Sequence, residues 1–124
     1  MAVRVDVFDD AVEIAFTGMD KWLTLNPHGQ RIAMDDVTAA RVTSRAEAGA
    51  NRGWKVGGSW WFNSLAAGWF TAKDRKGGRE LWCVRKAHEV LVIDTRLARP
   101  SRIVLQHPDR HDLAWYIGER LGRR

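Results

Sequence analysis

A chain of 124 residues with 45% hydrophobic and 28% charged side chains carries enough apolar material for one packed core, which excludes a disordered tail or a fibrous repeat. Its lone cysteine, Cys83, excludes an internal disulfide and a cysteine-rich zinc site, and a free thiol fits a reducing, cytoplasmic setting. The formal charge of +5 is unevenly placed: residues 1–62 carry 7 basic and 8 acidic side chains, residues 63–124 carry 13 and 7. That surplus is modest for a folded domain and acts first on solubility. The N-terminus MAVRVDVFDD has no apolar run behind a basic head, and no stretch approaches the roughly 20 apolar residues of a spanning helix, so neither a signal peptide nor a transmembrane segment is expected.

No repeat, low-complexity tract or proline-rich linker divides the chain, and one domain over 1–124 is expected. Residues 3–8 read as a strand, followed by period-two alternation in which Val12, Ile14 and Phe16 share one face. Gly18, Met19 and Asp20 interrupt before the apolar 22–25, and Asn26-Pro27-His28-Gly29 supplies turn chemistry ahead of 31–34. Residues 37–44 continue as a strand, and 46–53 read as a loop. The stretch 54–70 holds four of the seven tryptophans, interleaved with glycine. Residues 70–73 and 79–85 predict a β-hairpin, because Gly77 and Gly78 between them tolerate the positive φ of tight turns. Residues 89–94 and 101–106 add two strands joined by a turn at 97–100.

The period changes only at the end. Pro108 suits the first turn of a helix, Asp109 and Asp112 its positive N-terminal end, and Gly122 with Arg123 and Arg124 its C-terminus. Leu113, Tyr116, Ile117 and Leu121 recur at helical spacing as one apolar stripe, with Trp115 off its centre. About seven short strands thus precede one amphipathic helix, and curling of the sheet into a barrel or sandwich would remove exposed edges.

In this pattern the chain resembles the bacterial pleckstrin-homology-like domains. The resemblance is carried by Arg31-Ile32-Ala33-Met34-Asp35-Asp36-Val37 leading into a strand, by the glycine-punctuated segment from Gly57-Gly58 to Ala67-Gly68-Trp69-Phe70, by Glu89-Val90-Leu91-Val92-Ile93-Asp94-Thr95, and by the late Pro-Asp helix start. It implies a bent, seven-stranded antiparallel barrel capped by the C-terminal helix. It also implies a superfold that hosts lipid, peptide and protein binding as well as self-assembly.

Catalytic constellations are not apparent. His107 and His111 stand four residues apart with Asp109 and Asp112 between and beside them, yet His107 precedes the helix and no further ligand pair follows, so no metal site is expected and the chain should fold without metal. Cys83 lies in the strand pattern Leu81-Trp82-Cys83-Val84, where a thiol is ordinarily buried and inert, and His88 reads as a turn residue, not its base. Asp9-Asp10 and Asp35-Asp36 are adjacent pairs, which on a strand point to opposite faces. Gly53, Gly57 and Gly58 match neither a phosphate-binding loop nor a dinucleotide fingerprint. No enzyme activity and no cofactor are expected.

A binding surface is the remaining reading. Trp54, Lys55, Trp60, Trp61 and Phe62, with Lys73, Arg75, Lys76 and Arg79, form the candidate set, because on a strand Trp61 must face away from Trp60 and Phe62, leaving at least one large aromatic to be exposed. Exposed aromatics without a dense basic cluster favour a protein or peptide partner, or self-association into a homo-oligomer. The basic hairpin 73–79 against anionic lipid headgroups is the alternative. In phosphoinositide-binding relatives a further basic residue is expected where Ala33 stands, beside Lys21 and Arg31. Single-stranded nucleic acid is a third and less favoured partner, since basic-plus-aromatic composition alone is common.

Overall fold

Alternation of apolar and polar side chains shapes the first sheet. The computed structural model describes residues 3–17, 29–50, 52–61, 65–73, 76–85 and 88–123, and at 52–61 and 65 the backbone alone. Strands β1 (Val3–Val7), β2 (Ala11–Phe16) and β3 (Gln30–Ala33) pair antiparallel in the order β1-β2-β3. Val3, Val5, Val12, Ile14, Phe16 and Ile32 are buried on the inner face. The outer face is solvated and carries ion pairs, Arg4 with Asp6 at 3.1 Å and Arg31 with its cross-strand neighbour Glu13. Gly29 enters β3 at φ +72°, and a Cβ there would stand 2.3 Å from the Ile14 carbonyl oxygen, so both backbone conformation and space demand glycine.

A 3-10 turn, Met34–Asp36, carries the chain into a second sheet, with the Met34 amide donating to the Asp10 carbonyl at 2.8 Å. That sheet contains β4 (Val37–Ser44), β5 (Arg52–Trp61), β6 (Leu65–Ala72), β7 (Arg79–Arg85), β8 (Glu89–Thr95) and β9 (Arg102–Leu105) in the order β4-β8-β9-β7-β6-β5. β9 lies between β7 and β8, parallel to β7 and antiparallel to β8. These three strands are buried on both faces, which explains why they read as continuous apolar runs instead of alternating. Leu81, Cys83, Leu91, Ile93, Ile103 and Leu105 join the inner face of the first sheet in one core. Trp82, Val84, Val90, Val92 and Val104 point the other way and form a second core with Ala66, Phe70 and Ala48.

The C-terminal helix α2 (Arg110–Gly122) packs chiefly on β4 and buries Leu113 and Ile117 in the first core, with Leu121 partly buried beside them. A second ion-pair clasp holds its N-terminal turn, where Glu89 receives Arg110 at 2.9 Å and His111 at 3.0 Å. No described helix is long and apolar enough to cross a membrane.

Mainly β structure closed by a C-terminal helix is therefore what the chain forms, but several expectations are corrected. The described strands number nine and make two open sheets, not one closed seven-stranded antiparallel barrel. The parallel β7/β9 pairing also departs from an all-antiparallel plan. Stacking of the small sheet and α2 against the large one buries the shared apolar faces without closure. The loop expected over 46–53 is in part regular structure: α1 (Arg45–Gly49) follows β4, capped by Ser44 Oγ accepting from the Glu47 amide at 3.1 Å, and β5 begins at Arg52. Tyr116 is not part of the buried stripe and is 45% exposed. The expected apolar segment 22–25 lies outside the described residues.

Candidate binding surface

The candidate residues fall on the β5 edge and on the β6–β7 hairpin. Trp54, Lys55, Trp60 and Trp61 belong to β5, the ten-residue strand that ends the six-stranded sheet. Lys55 stands opposite Phe70, Trp60 opposite Ala66 and Trp61 opposite Leu65 in the register with β6. Register shifts fall between Arg52 and Lys55 and between Lys55 and Gly57, and from Gly57 to Trp61 the pairing is regular. Phe62 and Arg75 lie outside the described residues.

The hairpin forms as its glycines foretell. β6 and β7 pair antiparallel from Leu65 opposite Arg85 to Thr71 opposite Arg79, and Gly77 takes φ +77° in the turn. Lys73 and Lys76 are exposed at its tip. Arg79 is drawn inward: its Nη1 donates to the Gly78 carbonyl at 3.0 Å, its amide donates to Ala98, and its carbonyl accepts from the Ser101 amide at 2.8 Å. Among the described residues the tip thus offers two exposed lysines, while the half-buried Arg79 side chain bonds the adjacent Gly78 carbonyl and its backbone ties the turn to residues 98–101.

A buried charged pair sits behind this hairpin, a feature that sequence reading missed. Arg102 Nη2 donates to Glu80 Oε1 and to the Ala48 carbonyl, both at 2.7 Å, and Trp82 Nε1 donates to the same Glu80 oxygen at 2.9 Å. The side chains of Arg102 and Glu80 are 7% and 1% exposed. Such a pair joins α1, β7 and β9, and its seclusion from solvent suits it to holding structure together, not to meeting a substrate.

The other chemical candidates do not converge. His107 Nδ1 accepts from the Asp109 amide at 3.0 Å, whereas His111 is turned to Glu89. Hydrogen bonds from Arg110, and then from His111, hold the Glu89 carboxyl below its ordinary range. Cys83 is buried in the first core, and His88 is exposed between β7 and β8. Asp9, Asp10 and Asp36 are each engaged by an arginine, at 3.6 Å from Arg120, 3.5 Å from Arg31 and 3.4 Å from Arg96 respectively. Among the described residues no group of three His, Cys, Asp or Glu side chains is arranged to hold a metal ion.

A different aromatic surface does appear. Among the residues whose side chains are described, Phe8, Trp115 and Tyr116 are the exposed large hydrophobics, at 45%, 63% and 45%. Trp115 and Tyr116 meet edge to face with ring centroids 5.3 Å apart, and the Arg120 guanidinium lies 5.9 Å from the Tyr116 ring. Arg120 also reaches Asp9, the neighbour of Phe8, at 3.6 Å, so the three aromatics belong to one surface of α2 and the β1–β2 turn. Trp115 lying off the stripe was the signal in the sequence for this face. In comparisons with known proteins, no family model, curated protein or solved structure matches the chain.

Proposed function

We propose that the chain is a non-catalytic binding or assembly module that takes up an extended segment of another protein along β5. The observation supporting this reading is the position of the Trp-rich strand: residues 52–61 form a ten-residue edge, paired with β6 and ending the sheet order. An edge strand offers a row of backbone donors and acceptors, and peptides recognised by strand addition use that row for affinity and side-chain sites for selectivity. Edges that avoid pairing carry prolines or several charges; residues 52–61 contain no proline and only Arg52 and Lys55, both before the regular segment 57–61. Tryptophans at 60 and 61 add the residue type that most often anchors a protein contact. The likeness to pleckstrin-homology-like domains agrees with a binding role but names no ligand.

Selection from a random peptide display library on the immobilised full chain tests this, with Trp61→Glu as the counter-screen. Enrichment of extended, β-branched peptides that bind the parent and not the variant is expected. Equal recovery on both proteins, or a variant that melts far below the parent, overturns the surface role of Trp61. Exposed Lys73 and Lys76 support a second reading, contact with anionic lipid through the hairpin tip. Phosphatidylserine vesicles test it: binding through phosphate contacts falls steeply with salt and is lost in Lys73→Ala/Lys76→Ala.

A further inference from the structure

We infer that the segment taken up along β5 runs antiparallel to that strand and ends in an acidic stretch held by the cationic end of the large sheet. The inference rests on recognition along β5 and names the chemistry of the partner. β5 starts at that end, since Arg52 stands opposite Ala72, the last residue of β6. Two turns adjoin there, the β6–β7 hairpin turn and residues 96–100. They are tied by the Arg79 amide donating to the Ala98 carbonyl and by the Ser101 amide donating to the Arg79 carbonyl, each at 2.8 Å.

Between them the two turns expose Lys73, Lys76, Arg96 and Arg99. Asp36 answers Arg96 at 3.4 Å, whereas Lys73, Lys76 and Arg99 have no ion pair among the described residues. Asp74 and Arg75, of opposite sign, lie outside the described residues. On other faces Arg4, Arg41, Arg110 and Arg123 each meet a carboxylate. Three unanswered cations at one end of the sheet, continued onto the edge strand by Arg52 and Lys55, call for an anionic partner.

The charge stops partway along the strand, because residues 56–61 hold no ionisable side chain. A nucleic-acid strand carries a phosphate at every residue and would lay half its length over this uncharged run. A membrane plane would meet the turn tips without following the edge to Lys55, about 10 Å further along β5 than Arg52. A polypeptide with an uncharged, paired half and an acidic half fits both parts of the surface. Antiparallel pairing is the more stable per residue, and it puts the C-terminal end of the added strand beside Arg52. From there the turn at 96–100 begins four strand spacings away in the sheet order, about 19 Å, a span that about six extended residues cover while passing Lys73 and Lys76.

A random library of roughly sixteen-residue peptides, ten for the strand and six for the span, panned on the full chain and on Lys73→Ala/Lys76→Ala/Arg99→Ala, tests this. The parent should enrich peptides whose last third is rich in Asp and Glu, and the triple variant should return the same uncharged segment without that bias. In a synthetic peptide from the parent pool, replacing those acids with their amides should lower affinity for the parent about tenfold, as three exposed ion pairs together supply, and about 0.5 M salt should abolish the difference. Enriched peptides that need Trp61 but show no acidic end overturn the inference and leave the β5 reading standing. Acidic-ended peptides that bind Trp61→Glu as they bind the parent overturn the β5 reading and this placement of the acids with it, and an absence of enrichment overturns both. Acids enriched at the N-terminal end overturn the inference as well, as do phosphatidylserine vesicles or an oligothymidylate that bind through the three cations while peptides ignore them.

Discussion

Replacing Glu80 with leucine isolates the energetics of the buried pair. In the parent, Arg102 Nη2 donates to Glu80 and to the Ala48 carbonyl, while its Nε has no hydrogen-bond partner among the described residues. Glu80→Leu leaves an arginine side chain that is only 7% exposed with the Ala48 carbonyl as its remaining acceptor among the described residues, and removes the acceptor of the Trp82 indole bond. Breaking a buried pair from one side costs about 3–5 kcal/mol. That is a large share of the roughly 5–15 kcal/mol that holds a domain of this kind folded. At about 3–5 °C per kcal/mol for a chain of this size, the melting temperature should fall by about 10–20 °C. The double variant Glu80→Leu/Arg102→Met removes the orphaned charge as well, and should recover most of the loss because apolar replacement of a whole buried pair is often neutral. Urea unfolding of the parent, both single variants and the double variant closes the cycle. A Glu80→Leu loss below about 1 kcal/mol, the scale of an exposed pair, would refute the account of a sealed network, as would a double variant no more stable than Glu80→Leu.

Further predictions address the helix, the glycines and the pH response. Ile117→Ala should cost about 2–5 kcal/mol in thermal or urea unfolding, since Ile117 is fully buried where α2 meets the first core. Gly29→Ala should destabilise by about 1–3 kcal/mol through its positive φ and the Ile14 carbonyl, whereas Gly118→Ala should stabilise by up to about 1 kcal/mol; a common sign would contradict the local geometry of one of them. Glu89 has a folded value held below its unfolded one by Arg110 and His111. The linkage has the sign usual for a paired carboxylate: its contribution is fully present above the unfolded value near pH 4.3 and is lost as pH falls through the lower folded value. Melting temperatures recorded between about pH 2 and pH 7 should therefore show a smaller acid-side decline in Glu89→Gln than in the parent, and parallel curves would count against the clasp.

Strand positions were legible where one face meets water. Val12, Ile14 and Phe16 alternate because the opposite side of the first sheet is solvated, and the turn chemistry of Gly29 and Gly77 appears in their positive φ values. The start of α2 was legible too, from Pro108 and Asp109. Its rotation was not: Tyr116 adjoins the buried Ile117 and shares its helical spacing, and only packing against β4 decides which of them faces inward. The short helix α1 carries a readable signature, Ser44 three residues before Glu47, which its five-residue length and the closing Gly49 obscured. Sheet order is a different matter. The insertion of β9 between β7 and β8 depends on pairings between distant segments, and periodicity within a strand holds no information about its neighbour. Glu80 and Arg102 read as solvated charges for the same reason, since their partnership exists only once β7 and β9 pair in register. In the candidate surface, the hairpin and its exposed lysines were foreseen, while Arg79 is half-buried with its guanidinium bonded to the adjacent Gly78 carbonyl, a local bond that no sequence pattern marks.

Peptide selection on the full chain, read beside Trp61→Glu, tests the binding account most directly. The account predicts a family of extended peptides that bind the parent, lose at least about tenfold in affinity on the variant, and do so while parent and variant melt within about 2 °C of each other. No enriched peptide, or peptides that bind both proteins alike, would contradict recognition along β5.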